Sequence, residues 1–192
     1  YGSHAYFRLT VERLRLQRQL IDYGVSVAVI EADATWFQDG ARVEDMLRDS
    51  LSKHDMVSAD DTGNRLISAG FLAISANEKT QAFFGHYVQT YETKLAQHTG
   101  SNNIGDVGEQ HTMTPLLRKS NLDVMWLDTC NFARGQWYDN TSTYHKGCEE
   151  PWVLQNNWIV GNDAKVARAK EWGHWFLEQN GGKCLTLTAK VS

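Results

Sequence analysis

Few features interrupt this chain. Only two prolines, Pro115 and Pro151, occur in 192 residues, and no Pro/Gly-rich or low-complexity tract marks a linker. No repeat divides the sequence either, so one domain around one substantial core is expected. No stretch approaches the roughly 20 apolar residues that cross a bilayer, and no charged-then-apolar leader stands at the start. The chain opens at Tyr1 rather than Met, which reads as an excised or incomplete domain, any membrane attachment lying in a segment outside it. Basic charge is not in excess: 19 Lys and Arg face 23 Asp and Glu, for a formal net charge of -4. That balance argues against a nucleic-acid partner. Cys130, Cys148 and Cys184 show no CxxC or Cys/His spacing, which disfavours a zinc site. Gly-x-Ser-x-Gly, a Walker loop and an HExxH helix are all absent, which disfavours acyl transfer, P-loop phosphoryl transfer and zincin chemistry.

What is present is an ordinary globular balance, 42% hydrophobic and 22% charged, with seven each of Trp, Tyr and Phe. Most of these rings, Trp36, Trp152 and Trp158 included, are expected to pack rather than to stack on sugars. Helix-period and strand-like segments alternate, the pattern of a single α/β domain. A first helix is predicted from Ala5 to Tyr23, with Phe7, Leu14 and Ile21 recurring every seven residues and Leu16 and Leu20 on the same side. Gly24 ends it. Val25 to Ile30 is nearly continuously apolar, as a central parallel strand would be. Strands are predicted at Met56–Ala59 and Leu66–Ile74, a helix at Glu78–Gln97, and a polar loop at His98–Gly108. A short helix at Glu109–Lys119 and strands at Leu122–Leu127 and Trp152–Leu154 follow. A last helix at Asp163–Gln179 presents Val166, Ala169, Trp172 and Phe176 on one face, and Gly181-Gly182 ends it.

The most informative stretch joins the strand Val25–Ile30 to Glu31-Ala32-Asp33. In open α/β sheets ligands gather beyond the carboxyl ends of strands. Two carboxylates leaving a strand can reach a common point, where with a diphosphate they hold a hard divalent cation. Spacing alone does not distinguish this from acids that merely solvate a strand end.

The run resembles the aspartate-x-aspartate turn of the nucleotide-diphospho-sugar transferase family, which includes plant cell-wall xylosyl- and arabinosyltransferases. Leu20-Ile21-Asp22-Tyr23-Gly24 matches the preceding helix end and Trp36-Phe37-Gln38-Asp39 the following tail. Ser68-Ala69-Gly70-Phe71 is similar to the family's strand beside the donor sugar, and Glu109-Gln110 to an acid-glutamine pair at a helix start. Asn131-Phe132-Ala133-Arg134-Gly135 looks like a phenylalanine-x-x-glycine turn. Gln155-Asn156-Asn157-Trp158-Ile159-Val160-Gly161, then Lys165, resembles a histidine-x-asparagine…glycine…lysine segment. The likeness runs from about Phe7 to Phe176, its motifs in one order. Glu31 stands where the family has aspartate, as does Glu109, and Gln155 stands where histidine would complete the metal shell. An amide oxygen binds manganese less well than imidazole does; His111 is a candidate to compensate. The family's N-terminal base-binding strand and helix have no counterpart before Tyr1.

The resemblance implies a single GT-A-like (Rossmann-like) domain over residues 1–192, a mainly parallel sheet flanked by helices and lacking its N-terminal nucleotide-base-binding elements. It implies transfer of a sugar from a nucleoside diphosphate, UDP foremost, to a hydroxyl on a glycan, glycoprotein or small acceptor, with retention of configuration. Mn2+ (or Mg2+) would be held by Asp33, Glu31 and Gln155. Glu31, Ser68, Ala69, Gly70, Asn157, Gly161 and Lys165 would bind the donor and its diphosphate. Glu109 and Gln110 would stand at the reacting centre, Glu109 steadying positive charge at the anomeric carbon. A Golgi or other secretory-pathway lumen is implied as the compartment, and the sequon at Asn140 together with a Cys130–Cys148 disulfide would suit it. A non-catalytic sugar- or protein-binding relative and a metal-dependent phosphoester hydrolase are the alternatives.

Overall fold

A computed structural model describes residues 4–60, 63–97, 108–139 and 150–177. The sequon at Asn140 and the Gly181-Gly182 pair lie outside them, as does nearly all of the predicted loop before Glu109.

Helix α1 (His4–Asp22) ends at Gly24, whose φ of 79° lets the Val25 amide turn back onto the Leu20 carbonyl at 2.9 Å. Leu14 and Ile21 are buried as expected, but Leu16 points to solvent at 56% exposure. The inward stripe instead continues through Thr10 and Gln17, a partly polar face that apolar periodicity overlooks. Strand β1 (Val27–Ile30) follows, then the short β2 (Ala34–Trp36) and helix α2 (Gly40–Leu51). Asp39 caps α2 by accepting the Ala41 amide at 3.0 Å. Next come β3 (Met56–Asp60), β4 (Ile67–Ile74), the long helix α3 (Glu78–Gln97) and α4 (Glu109–Leu117). Strands β5 (Val124–Trp126) and β6 (Phe132–Ala133), a 3-10 turn at Gly135–Tyr138, β7 (Val153–Gln155) and helix α5 (Asn162–Glu171) complete the described elements.

Two small sheets result. The larger has the order β1-β4-β3-β5 and the smaller β2-β7-β6. The expectation of a mainly parallel sheet is corrected: β1 with β4, β3 with β4 and β2 with β7 are antiparallel, and only β3 with β5 and β6 with β7 are parallel. Nor is β1 a central strand; it lies at an edge. Its apolar run comes from packing on both faces, Val27 against the α1–α3 side and Ile30 against the α2 side. Strand β4, buried along all eight residues, is the true centre. One core joins it to α1, α3 and α4 through Leu14, Ile21, Leu72, Phe84, Tyr87 and Met113; a second joins its other face to α2 and the smaller sheet through Val43, Leu47, Phe71, Phe132 and Val153.

The last helix is shorter than the sequence implies. It ends at Glu171, and Gly173, at φ 72°, turns the chain away, so Trp172 and Phe176 do not extend one helical face. Trp172 packs instead on Trp137 and Tyr138.

Asp55 staples three elements. Its buried carboxylate accepts from Asn77 Nδ2 at 2.9 Å, Lys79 Nζ at 3.1 Å and the Asp123 amide at 2.9 Å. Burial alone would push this carboxyl up, but those donors outweigh it and hold the group below the usual 3.8. A depressed acid stabilises the fold above its unfolded pKa and loses that contribution as pH falls through the folded value. Asp55→Ala should therefore cost about 2–4 kcal/mol in urea unfolding at neutral pH. The gap between variant and wild type should narrow below pH 3.8.

Candidate functional site

The chain passes from one sheet to the other at Glu31-Ala32-Asp33. The Glu31 amide still donates to Gly70 O of β4 at 3.0 Å, while Asp33 O already accepts from the Asn156 amide, just past β7, at 3.0 Å. A turn closed by Ala34 N on Glu31 O at 3.1 Å makes the change of direction. Both acids are thus fixed by backbone bonds to different sheets, and β4 and β7 bring their own side chains to the junction.

Glu31 Oε2 accepts from Gln155 Nε2 at 2.8 Å, and Lys165 Nζ, on the first turn of α5, donates to Asp33 Oδ2 at 2.5 Å. Gln155 Oε1 accepts from Asn157 Nδ2 at 3.3 Å and from Ser68 Oγ at 3.5 Å. Asn157 also accepts the Gly135 amide on Oδ1 at 2.7 Å, so it binds neighbouring backbone and side chain. Asn156 points elsewhere, as expected, with Oδ1 on Arg168 and Nδ2 on Lys165 O. On β4, Ser68 and Ala69 lie buried behind the cleft, and the Ala69 amide donates to Gln110 Oε1 at 3.4 Å. Glu31, Glu109, Gln110, Gln155, Gly161 and Lys165 line one open cavity of about 700 Å³, within the usual range for a small-molecule site. His111 reaches its rim and is exposed.

Arg13 is one site residue that the sequence did not announce. From α1 it pairs with buried Glu109 and stands 3.7 Å from Glu31. It sits on the same stripe as Thr10 and Gln17, and three polar residues at helical spacing on an inward face were the available signal. Burial pushes the Glu109 carboxyl above the usual 4.5, Arg13 holds it partly down, and Glu31 adds to the rise. Arg168 was also missed. It donates to Asn156 Oδ1 and to Asn157 O, and lies 4.4 Å over the Tyr138 ring. Burial lifts the Tyr138 hydroxyl to about 12, against the pull of Arg168 and with a further push from Asp33.

Whether these residues suit a divalent cation can be judged from their chemistry. Asp33 Oδ1 is buried and has no hydrogen-bond partner, an acceptor left over inside the site. Glu31 and Gln155, bonded to each other across the junction, carry the other candidate oxygens. Such an all-oxygen set fits Mg2+ or Mn2+ and not zinc. Among the described residues no cluster of three His, Cys, Asp or Glu gathers, so protein oxygens alone do not make a closed shell here. His111 has no place in such a cluster.

Cys130 is disulfide-bonded, while Cys148 and Cys184 lie outside the described residues. No helix among the described residues is long and apolar enough to cross a membrane.

The sequence profile described as nucleotide-diphospho-sugar transferase matches residues 1–169. Among curated proteins, a UDP-D-xylose:L-fucose alpha-1,3-D-xylosyltransferase of Arabidopsis thaliana is 21% identical over 196 residues, covering 94% of this chain and 52% of its own. A second from the same plant, UDP-D-xylose:L-fucose alpha-1,3-D-xylosyltransferase 1, is 21% identical, covering 94% and 53%. The chain thus spans about half the length of the curated relatives it matches. No solved structure gives a significant match.

Gly70 shows how closely the junction is built. A Cβ there would overlap the Gln155 amide and stand 2.9 Å from Glu31 Oε2. Gly70→Ala should lower stability by about 1–3 kcal/mol in thermal or urea unfolding, and adding Gln155→Ala should restore part of the loss by opening the space.

Proposed function

The chain belongs to the nucleotide-diphospho-sugar transferase family, and from that premise we propose that it transfers a sugar from a nucleoside diphosphate, UDP foremost, to a hydroxyl of a glycan. The observation that carries the reading is the junction itself: two backbone-fixed carboxylates, Glu31 and Asp33, with Lys165 bound to Asp33 and an open cavity lined by Glu31, Glu109 and Lys165. The xylosyltransferases with which it aligns make UDP-xylose and a fucosyl acceptor the first pair to try. A GT-A-like arrangement over the whole chain is part of the same proposal.

Each residue then has a task. Glu31, Asp33 and Gln155 would hold Mn2+ or Mg2+, which when bound supplies charge neutralisation on a departing diphosphate. Lys165, bound to Asp33, would add a cation beside the same oxygens. The first turns of α4 and α5, neither with a side-chain cap, both line the cavity and would present backbone amides to phosphate. Glu109, ionised, would steady positive charge at the anomeric carbon, with Gln110 held beside it. Ser68, Ala69 and Gly70 stand behind the cavity lining and would act on the donor through their bonds to Gln155, Gln110 and Glu31, and Asn157 and Gly161 would set the path of the chain around the diphosphate. Retention follows if the acceptor attacks from the face the diphosphate leaves, its proton passing to a departing phosphate oxygen. The protein contributes alignment and exclusion of water. The disulfide at Cys130 supports an oxidising compartment such as the Golgi lumen.

Calorimetric titration with UDP and GDP, with and without Mn2+, tests the donor site. UDP should bind at least tenfold more tightly with the metal present, and Asp33→Ala should abolish that gain. Absence of nucleotide binding in every condition would overturn the transferase reading in favour of a non-catalytic relative, and sugar-phosphate cleavage that needs no acceptor would point to a hydrolase.

The acidic limb of the activity should lie above the usual carboxylate value of 4.5, because Glu109 must be ionised and burial raises it. Arg13→Leu removes the guanidinium that holds the carboxyl down, so the limb should move to higher pH. A limb that stays in place would exclude Glu109 as its source.

A further inference from the structure

Trp158 holds a backbone conformation that its side chain opposes. Its φ is 61°; among the described non-glycine residues only Arg65, before β4, shares a positive φ. In this region Cβ crowds the neighbouring carbonyl, and a bulky residue stays there only where its surroundings leave no alternative.

Those surroundings are visible on the N-terminal side of the tryptophan. The Asn156 amide is tied to Asp33 O at 3.0 Å and its side chain to Lys165 O and Arg168. The Asn157 carbonyl, one bond before Trp158, accepts from Arg168 Nη2 at 2.5 Å, and the Asn157 side chain accepts from the Gly135 amide. Gly135 approaches so closely that a Cβ on it would overlap that same carbonyl. The segment is pinned up to the residue that pays the strain.

Packing does not explain the arrangement. Against the expectation that Trp158 is a packing residue, it is 54% exposed and lies outside all three buried clusters. Its neighbour Val160 is 82% exposed. Both line the cavity that contains Glu31, Glu109 and Lys165.

We propose that Trp158, with Val160 beside it, is the platform on which a sugar ring of the acceptor stacks. The inference rests on the transferase reading and extends it to the second substrate. A pyranose presents an apolar C–H face between its hydroxyls, and a large aromatic plane complements that face. Location selects acceptor over donor. The donor's diphosphate belongs at the inner acids and Lys165, and its reacting carbon must be sheltered from water. A ring more than half exposed at the mouth meets the part of the reaction complex that enters from outside.

The experiment uses saturation-transfer NMR with methyl glycosides of fucose, galactose, xylose, arabinose and glucose, in the presence of UDP and Mn2+. Wild type, Trp158→Ala, Trp158→Gly and Trp158→Tyr are compared, with UDP affinity measured on each. At least one glycoside should receive saturation from the wild type and from the tyrosine variant, and none from the alanine or glycine variants. UDP affinity should stay within twofold throughout. The glycine variant should melt above the alanine variant, since only glycine relieves a positive φ. In transfer assays the alanine variant should raise the acceptor KM about tenfold with kcat within twofold.

The platform is overturned if glycoside binding survives in the alanine and glycine variants, or if no glycoside binds a wild type that binds UDP. Weakening of UDP by more than twofold in the alanine variant also overturns it, because the indole would then serve the base. A wild type that binds glycosides through Trp158 but binds no UDP sustains the platform and defeats the transferase reading instead.

Discussion

The site depends on a single hand-over of backbone hydrogen bonds. Three residues after the middle of β1, the chain stops pairing with β4 and starts pairing with the segment that contains β7. No residue between Glu31 and Asp33 is free to slide, because an amide at one end and a carbonyl at the other are committed to different sheets. Two carboxylates therefore stand at a seam where side chains from both sheets converge. Gly70 and Gln155 meet there for the same reason. The site is a property of the seam more than of either sheet.

Charge follows from that geometry. Glu31 and Glu109 line one cavity, Asp33 is joined to it through Lys165, and two helices supply the cations for these three acids: Arg13 from α1 for Glu31 and Glu109, Lys165 from α5 for Asp33. Carboxylates in such a place need partners, since desolvation otherwise favours their neutral forms. The raised Glu109 and the ion pairs of Glu31 and Asp33 are two outcomes of one constraint. Arg168 has a different task. Its guanidinium binds Asn156 and Asn157 and lies on Tyr138, so it shapes the loop that leads from β7 to α5. Perturbing any one of these groups alters the others, and single substitutions here will not add.

Much of this was legible in the sequence, and the exceptions have causes. Helices α1 and α3 declared themselves through apolar spacing, and the acids of β1's end through their position. Of the candidate residues, Glu31, Glu109, Gln110, Gln155, Asn157, Gly161 and Lys165 line one cavity, while Asp33, Ser68, Ala69 and Gly70 are not part of its lining. The direction of β1 was not legible: a strand packed on both faces reads as apolar whether its neighbour runs parallel or antiparallel. Helix α2 escaped because only Val43 and Leu47 of its apolar residues are fully buried, and a glycine opens it. Arg13 escaped because a polar residue on an inward helical face leaves no hydrophobic signature. The early end of α5 lay in Gly173, one glycine in a run that otherwise keeps helical periodicity.

The pairing of β2 with β7 has a consequence for the order of events during synthesis. Among the described strands, β7 is the only partner of β2, and roughly 120 residues separate them in the chain. At ribosomal rates of about 5–20 residues per second, the first half of the site waits on the order of 6–24 s for the second. During that interval α1, β1, β3, β4 and α3 can form, with their shorter-range contacts, while Ala34–Trp36 remains an open edge. Translation thus completes the scaffold before the seam, and Glu31 and Asp33 acquire their setting among the last parts of the molecule to close.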